Sequence, residues 1–160
     1  MLFTGTSEVT IDAKGRLAIP ARYRNALLSA SEGTESEDEG RGFFWYCVAW
    51  PGGMLRLYTE DAFERMGRRL GDSLTASSQR AQLDRTLFGN AERLEMDSAG
   101  RIMVPKRHLK LTGIPNEVVV VGARNRLEVW SREAWEAQEQ DQFSKLSALI
   151  DALDEVDGGS

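Results

Sequence analysis

The chain states one thirteen-residue pattern twice. Thr10-Ile11-Asp12-Ala13-Lys14-Gly15-Arg16-Leu17-Ala18-Ile19-Pro20-Ala21-Arg22 returns 85 positions later as Glu95-Met96-Asp97-Ser98-Ala99-Gly100-Arg101-Ile102-Met103-Val104-Pro105-Lys106-Arg107. Asp, Gly, Arg, Pro and a second Arg recur in register. A further match, Leu55 to Phe63 against Leu127 to Trp135, has an offset of 72. The first copy therefore carries thirteen extra residues, which an acidic tract and Trp50-Pro51-Gly52-Gly53 supply. Such a chain folds as two like units, and a doubled surface with paired arginines suits a repetitive acidic partner, with DNA first.

Each copy reads as strand, turn, strand, short helix, strand, turn, strand, helix. Asp12 to Gly15 and Asp97 to Gly100 place Asp first and Gly fourth in a type I turn, where Asp accepts local backbone hydrogen bonds and Gly tolerates positive φ. A hairpin is expected at each. Pro20 and Pro105 suit the first position of helices of two turns at most, Arg22–Leu27 and Arg107–Leu111. Phe43–Ala49 and Val118–Val121 read as buried strands, with Pro51-Gly52-Gly53 and Ala123-Arg124-Asn125 turning the chain after them. Thr59 and Ser131 are expected N-caps, and Phe63, Met66 and Leu70 share one helical face. The sequence divides into 1–74, a first repeat with an acidic insertion at 31–40; 75–90, a linking helix; 91–135, a second repeat; and 136–160, a C-terminal helix and acidic tail. The last helix, about Glu133 to Val156, carries Phe143, Leu146, Leu149, Ile150 and Leu153 at helical spacing, so its apolar stripe requires a partner in its own chain or a neighbour.

The net charge of −5 conceals its distribution. Residues 31–40 hold five acids and no base, and 133–160 hold eight acids against Lys145 alone, which leaves +7 on the motif-bearing remainder. That remainder is a basic body able to meet nucleic acid. The longest apolar run, Phe43 to Trp50, is too short to span a bilayer, and the N-terminus lacks a basic signal start, so a cytoplasmic protein is expected. The lone Cys47, between Tyr46 and Val48, is expected to be a buried, inert thiol.

Catalysis has little to stand on. His108 is the single histidine and Cys47 the single cysteine, so one imidazole and one thiol offer no Cys/His, Ser/His or metal-ligand cluster, and His108 itself is expected to be a surface or partly packed ring. No phosphate-binding glycine loop is present. The chain is read as a non-enzyme without catalytic residues, metal, cofactor or small-molecule substrate.

Turn chemistry accounts for Asp12, Gly15, Asp97 and Gly100 whatever the protein does, but not for Arg16 and Arg101. Each arginine either pairs with its aspartate merely to pin the turn, or offers a planar fork, held in one orientation by that aspartate, to phosphate oxygens or guanine O6/N7. The second reading is favoured. Arg22, Arg24, Lys106 and Arg107 continue the charge onto the following helices as candidate phosphate contacts. Lys14 is a weaker candidate because its counterpart is Ala99, and Arg65, Arg68 and Arg69 read as an outer helical face.

Through the doubled Asp-x-x-Gly-Arg and the Leu127-Glu128-Val129-Trp130 strand, the chain resembles the MraZ family of bacterial transcriptional regulators from Leu2 to about Leu153. Each half is similar to an AbrB/SpoVT-type swapped-hairpin domain. The resemblance implies an α+β fold: a pseudo-dimeric double swapped-hairpin β-barrel with peripheral helices and a C-terminal amphipathic helix. It further implies a ring-like homo-oligomer, associated with the nucleoid, that binds double-stranded DNA at short tandem repeats upstream of the cell-division and cell-wall gene cluster, with contact through Arg16 and Arg101. The acidic insertion and the Phe43-Phe44-Trp45-Tyr46 run depart from the family pattern. The alternative is a ring-forming interaction protein whose partner is another protein.

Overall fold

The computed structural model describes residues 1–31, 42–71 and 77–158; nearly all of the acidic insertion lies outside them. Eight strands and six helices follow in chain order among the described residues: β1 (Thr6–Thr10), β2 (Arg16–Ala18), α1 (Ala21–Ser31), β3 (Phe44–Trp50), β4 (Met54–Thr59), α2 (Glu60–Arg69), α3 (Ser78–Phe88), β5 (Ala91–Glu95), β6 (Arg101–Met103), α4 (Lys106–Thr112), β7 (Glu117–Gly122), β8 (Leu127–Ser131), α5 (Arg132–Ser144) and α6 (Leu146–Gly158). The fold is α+β.

The two repeats do not lie side by side. Six strands form one antiparallel sheet in the order β1-β7-β8-β4-β3-β5, and β2 pairs with β6 in a separate two-stranded ladder. The order is a pseudo-palindrome in which the first strand of each repeat adds to the third strand of the other: β1 on β7 and β5 on β3. The sheet is open at β1 and β5, so the closed barrel expected from the resemblance is not formed by these ladders. The expected motif hairpins are also corrected. Each turn is tight, with Gly15 N–H donating to Asp12 O and Gly100 N–H to Asp97 O, both at 2.9 Å. After one further bond, Asp12 N to Arg16 O or Asp97 N to Arg101 O, the chain leaves the sheet plane and β2 and β6 pair with each other. Reciprocal bonds lock the crossing: Ile19 N–H to Gly100 O at 2.8 Å and Val104 N–H to Gly15 O at 2.9 Å.

One face of the sheet packs on this crossing. Leu17, Ile19, Ile102 and Val104 from the motif segments meet Trp45, Cys47, Leu55, Leu57, Val118, Val120, Leu127 and Val129 in the main core. These alternate along their strands and so share one face of the sheet. Cys47 is buried in this core as expected, and desolvation raises its thiol pKa. On the opposite face Val48, Tyr58 and Phe63 form a second cluster with Leu87 and Phe88, which docks α2 and α3.

The helix caps follow the sequence. Thr59 Oγ1 accepts from Ala62 N–H at 3.2 Å and Ser131 Oγ from Ala134 N–H at 3.4 Å. Arg65 pairs with Asp61 and Arg68 with Glu64, one turn apart on the exposed side of α2. Three expectations shift. Helix α1 runs eleven residues rather than two turns. Pro20 precedes α1 and Pro105 is the N-cap of α4 with extended ψ, each one residue earlier than expected. The single C-terminal helix is two: Ser144 Oγ donates to the Asp141 carbonyl at 2.7 Å and Lys145 N–H reaches Gln142 O at 3.1 Å, which breaks the i to i−4 ladder and leaves Lys145 at φ −93°, ψ 0°.

Candidate nucleic-acid interface

In the β2–β6 ladder Arg16 faces Met103, Leu17 faces Ile102, and Ala18 faces Arg101. Cross-strand partners point to the same side and successive residues to opposite sides. Leu17 and Ile102 therefore face the core, while Arg16, Ala18, Arg101 and Met103 share the outer face. The burial agrees: Leu17 and Ile102 are buried, Ala18 and Met103 exposed. The two motif arginines, 85 residues apart in sequence, become a diagonal pair with Cα atoms about 7–8 Å apart.

Each arginine is held in the same way. Asp12 Oδ1 accepts the backbone N–H groups of Lys14 and Arg16, both at 2.9 Å, and Asp12 Oδ2 accepts Arg16 Nε at 2.6 Å. In the second copy Asp97 Oδ1 accepts from Ala99 N and Arg101 N at 2.9 Å, and Oδ2 from Arg101 Nε at 3.1 Å. The backbone N–H of the arginine, more than its guanidinium, holds each aspartate below its ordinary pKa. Both stay ionised at neutral pH and orient the fork through Nε. The Nη1 and Nη2 groups of Arg16 and Arg101 meet no partner among the described residues, and these side chains keep 33% and 40% of their surface exposed. Pinning the turn thus engages Nε and leaves the two Nη groups of each guanidinium without a partner among the described residues.

The remaining candidates divide. Arg24 donates from Nε to Ile19 O at 3.0 Å, and its guanidinium lies against Gly100, in the turn of the other repeat. Leu109, its equivalent in α4, lies against Gly15. Each turn therefore carries one base beyond its motif arginine, Lys14 in the first and Arg24 at the second, so the imbalance of Lys14 against Ala99 is made good from the other half. That compensation was legible in neither copy alone, because it crosses between them. Lys106 is exposed at the start of α4. Arg22 lies over Gly5 at the start of β1 rather than at a turn, and Arg107 lines a cleft with Arg85 and Trp50.

His108 is fully buried, a correction to the surface or partly packed ring expected. Its Nε2 lies 2.6 Å from Asn90 O, and desolvation lowers its pKa, so the neutral ring donates there. The equivalent residue 85 positions earlier is Tyr23, whose hydroxyl donates to Gly5 O at 2.9 Å. Gly5 and Asn90 are also 85 apart. His108 is thus the second copy of a structural clamp between a motif helix and the strand entry of its own repeat. Among the described residues no group of three or more His, Cys, Asp or Glu is placed to hold a metal, and no helix is long and apolar enough to cross a membrane.

The chain matches the family model described as "MraZ protein, putative antitoxin-like" over residues 2–33 and 87–154, segments that contain both motif copies. It is 35% identical to the transcriptional regulator MraZ of Methylobacillus flagellatus over 159 residues, 99% of each chain. It is 37% identical to that of Chromobacterium violaceum, covering 86% of each, and 32% identical to that of a Marinomonas species, covering 97% of this chain and 93% of the other.

Proposed function

We propose, because the chain belongs to the MraZ family, that it is a sequence-specific DNA-binding transcriptional regulator and not an enzyme. The observation that carries this reading is the placement of Arg16 and Arg101 on one outer face of a two-stranded ribbon, each anchored by Nε and each with its Nη pair without a partner among the described residues. The major groove admits a two-stranded β-ribbon, and a fork held this way matches guanine O6/N7 or a phosphate. Arg16 and Arg101 read base edges, while Lys14, Arg22, Arg24 and Lys106 hold phosphates on either side. The crossed β2–β6 ladder and the pseudo-palindromic sheet support an AbrB/SpoVT-type swapped-hairpin arrangement.

The targets in this reading are short tandem repeats upstream of the cell-division and cell-wall genes, bound in the nucleoid by a ring-like homo-oligomer in which adjacent subunits engage adjacent repeats and so gain avidity. The exposed apolar side chains of α5 and α6 favour association with a protein surface as well. Salt separates the two partners. Fluorescence anisotropy on a duplex carrying the upstream repeats is expected to show affinity falling steeply between about 50 and 200 mM salt. Tight binding to a protein partner with no salt-sensitive binding to that duplex would instead establish the interaction-protein reading.

A further inference from the structure

Helix α6 contributes to neither core cluster among the described residues. Leu146, Leu149, Ile150 and Leu153 form an i, i+3, i+4, i+7 stripe whose members are 51–66% exposed. Among the described residues its principal contacts are with α5. The helix is also acidic, with Asp151, Asp154 and Glu155 and no base, and Asp154 follows Ile150 by one turn at the margin of the stripe. A monomer gains nothing from an apolar stripe left in water.

A surface of opposite character lies elsewhere on the molecule. A cleft of about 440 Å³ between the β3–β4 turn, α3 and α4 is lined by Trp50, Pro51, Arg85, Arg107, Leu111 and Thr112. Leu111 is 60% exposed. Arg85 and Arg107 both reach the cleft, and neither guanidinium meets a carboxylate among the described residues. The cleft thus sets Ala49, Trp50, Pro51 and Leu111 beside polar Thr86, Asn90 and Thr112 and two arginines without a carboxylate partner among the described residues, where α6 has an apolar stripe flanked by acids.

We propose that α6 of one copy docks in the Trp50/Arg85/Arg107/Leu111 cleft of the next. This rests on the homo-oligomer in the reading above and identifies the contact that builds it. Leucine and isoleucine side chains fill the cleft, and Asp154 with its neighbouring acids meets the arginines at the rim, which fixes direction and excludes like-charged surfaces. Because helix and cleft are different surfaces, the contact is head-to-tail and closes into a ring where the rotation permits. It also gives Arg107, which lines this cleft, a role in assembly.

Two full-length variants test this without DNA. Leu149→Asp/Leu153→Asp spoils the helix and keeps the cleft; Arg85→Glu/Leu111→Asp spoils the cleft and keeps the helix. Light scattering coupled to gel filtration is expected to show an assembled wild type and each variant alone as a monomer. An equimolar mixture is expected to give a one-to-one heterodimer, because one good helix and one good cleft remain. Since all four positions are exposed, near-ultraviolet circular dichroism should match the wild type; the milder Arg85→Ala, weakening self-association several-fold, serves if either double variant misfolds. Wild-type mass in the cleft variant, a mixture that stays monomeric, or a wild type that is monomeric with α6 docked in its own chain would each overturn the proposal. Anisotropy of each variant on a single-repeat duplex is read separately, so failure of the contact leaves the DNA reading standing and the converse holds.

Discussion

Gly15 and Gly100 occupy the same place in the two motif turns, yet alanine is expected to cost more at the second. Both have positive φ, +86° and +79°, which a side chain adopts at about 1–2 kcal/mol. At Gly15 a Cβ would lie 3.3 Å from Val104 O and 3.8 Å from Leu109 Cδ1, contacts that a small shift accommodates. At Gly100 it would lie 2.7 Å from Arg24 Nε and 2.8 Å from Nη1, so Arg24 must move. Moving it breaks the part-buried bond from Nε to Ile19 O, worth about 1 kcal/mol net once the freed guanidinium is solvated. Gly15→Ala should therefore cost about 1–2 kcal/mol and Gly100→Ala about 2–3 kcal/mol in urea unfolding, with unchanged m-values. Gly100→Ala should also weaken DNA binding more, because it displaces the base that serves the second turn. Equal destabilisation by the two variants would refute the placement of Arg24 across the repeats.

Three further outcomes follow from the packing. His108 has a folded pKa below its unfolded value of about 6.5, so the unfolded chain binds more protons and stability is lost as pH falls below about 6.5. His108→Tyr, which copies the Tyr23 clamp, should flatten the dependence of the urea midpoint there; an unchanged slope would show that another group titrates. Phe63 stacks on Tyr46 at 4.3 Å and touches Tyr58 and Phe88, so Phe63→Ala should cost about 3–5 kcal/mol by the same assay, and a loss under about 1 kcal/mol would mean that α2 is not anchored there. Cys47, buried with a raised pKa, should resist a thiol reagent in the native state and react on unfolding; rapid native labelling would contradict its place in the core.

The repeat alone made the pseudo-symmetry legible, and turn chemistry placed Asp12, Gly15, Asp97 and Gly100 correctly. What it left open was which copy each strand pairs with. An offset of 85 relates Arg16 to Arg101 but is equally compatible with two hairpins side by side and with one crossed ladder, since the side-chain alternation of β1 and β2 is the same in both. The choice is made by long-range pairing, β1 on β7 and β2 on β6, which periodicity does not encode. The Tyr23/Gly5 and His108/Asn90 clamps could have been found by applying the same offset beyond the motif. The reach of Arg24 to Gly100 could not, because it depends on the crossing. The break at Lys145 has no signature in the periodicity because the apolar stripe continues through it, and only the local bonds of Ser144 and Lys145 interrupt the helix.

In the proposed reading one ribbon face presents two arginine forks, Arg16 and Arg101, to DNA. The measurement that tests it most directly is an anisotropy titration of Arg16→Ala, Arg101→Ala and the double variant against a duplex carrying the upstream repeats, at fixed salt. Loss of one bidentate contact is expected to cost about 1–3 kcal/mol, or about 5- to 160-fold in Kd, for each single variant, with a larger loss in the double. Folding stability should change little, because surface ion pairs contribute little to it. A double variant that binds the repeats with wild-type affinity, while folding and assembling normally, would contradict the account.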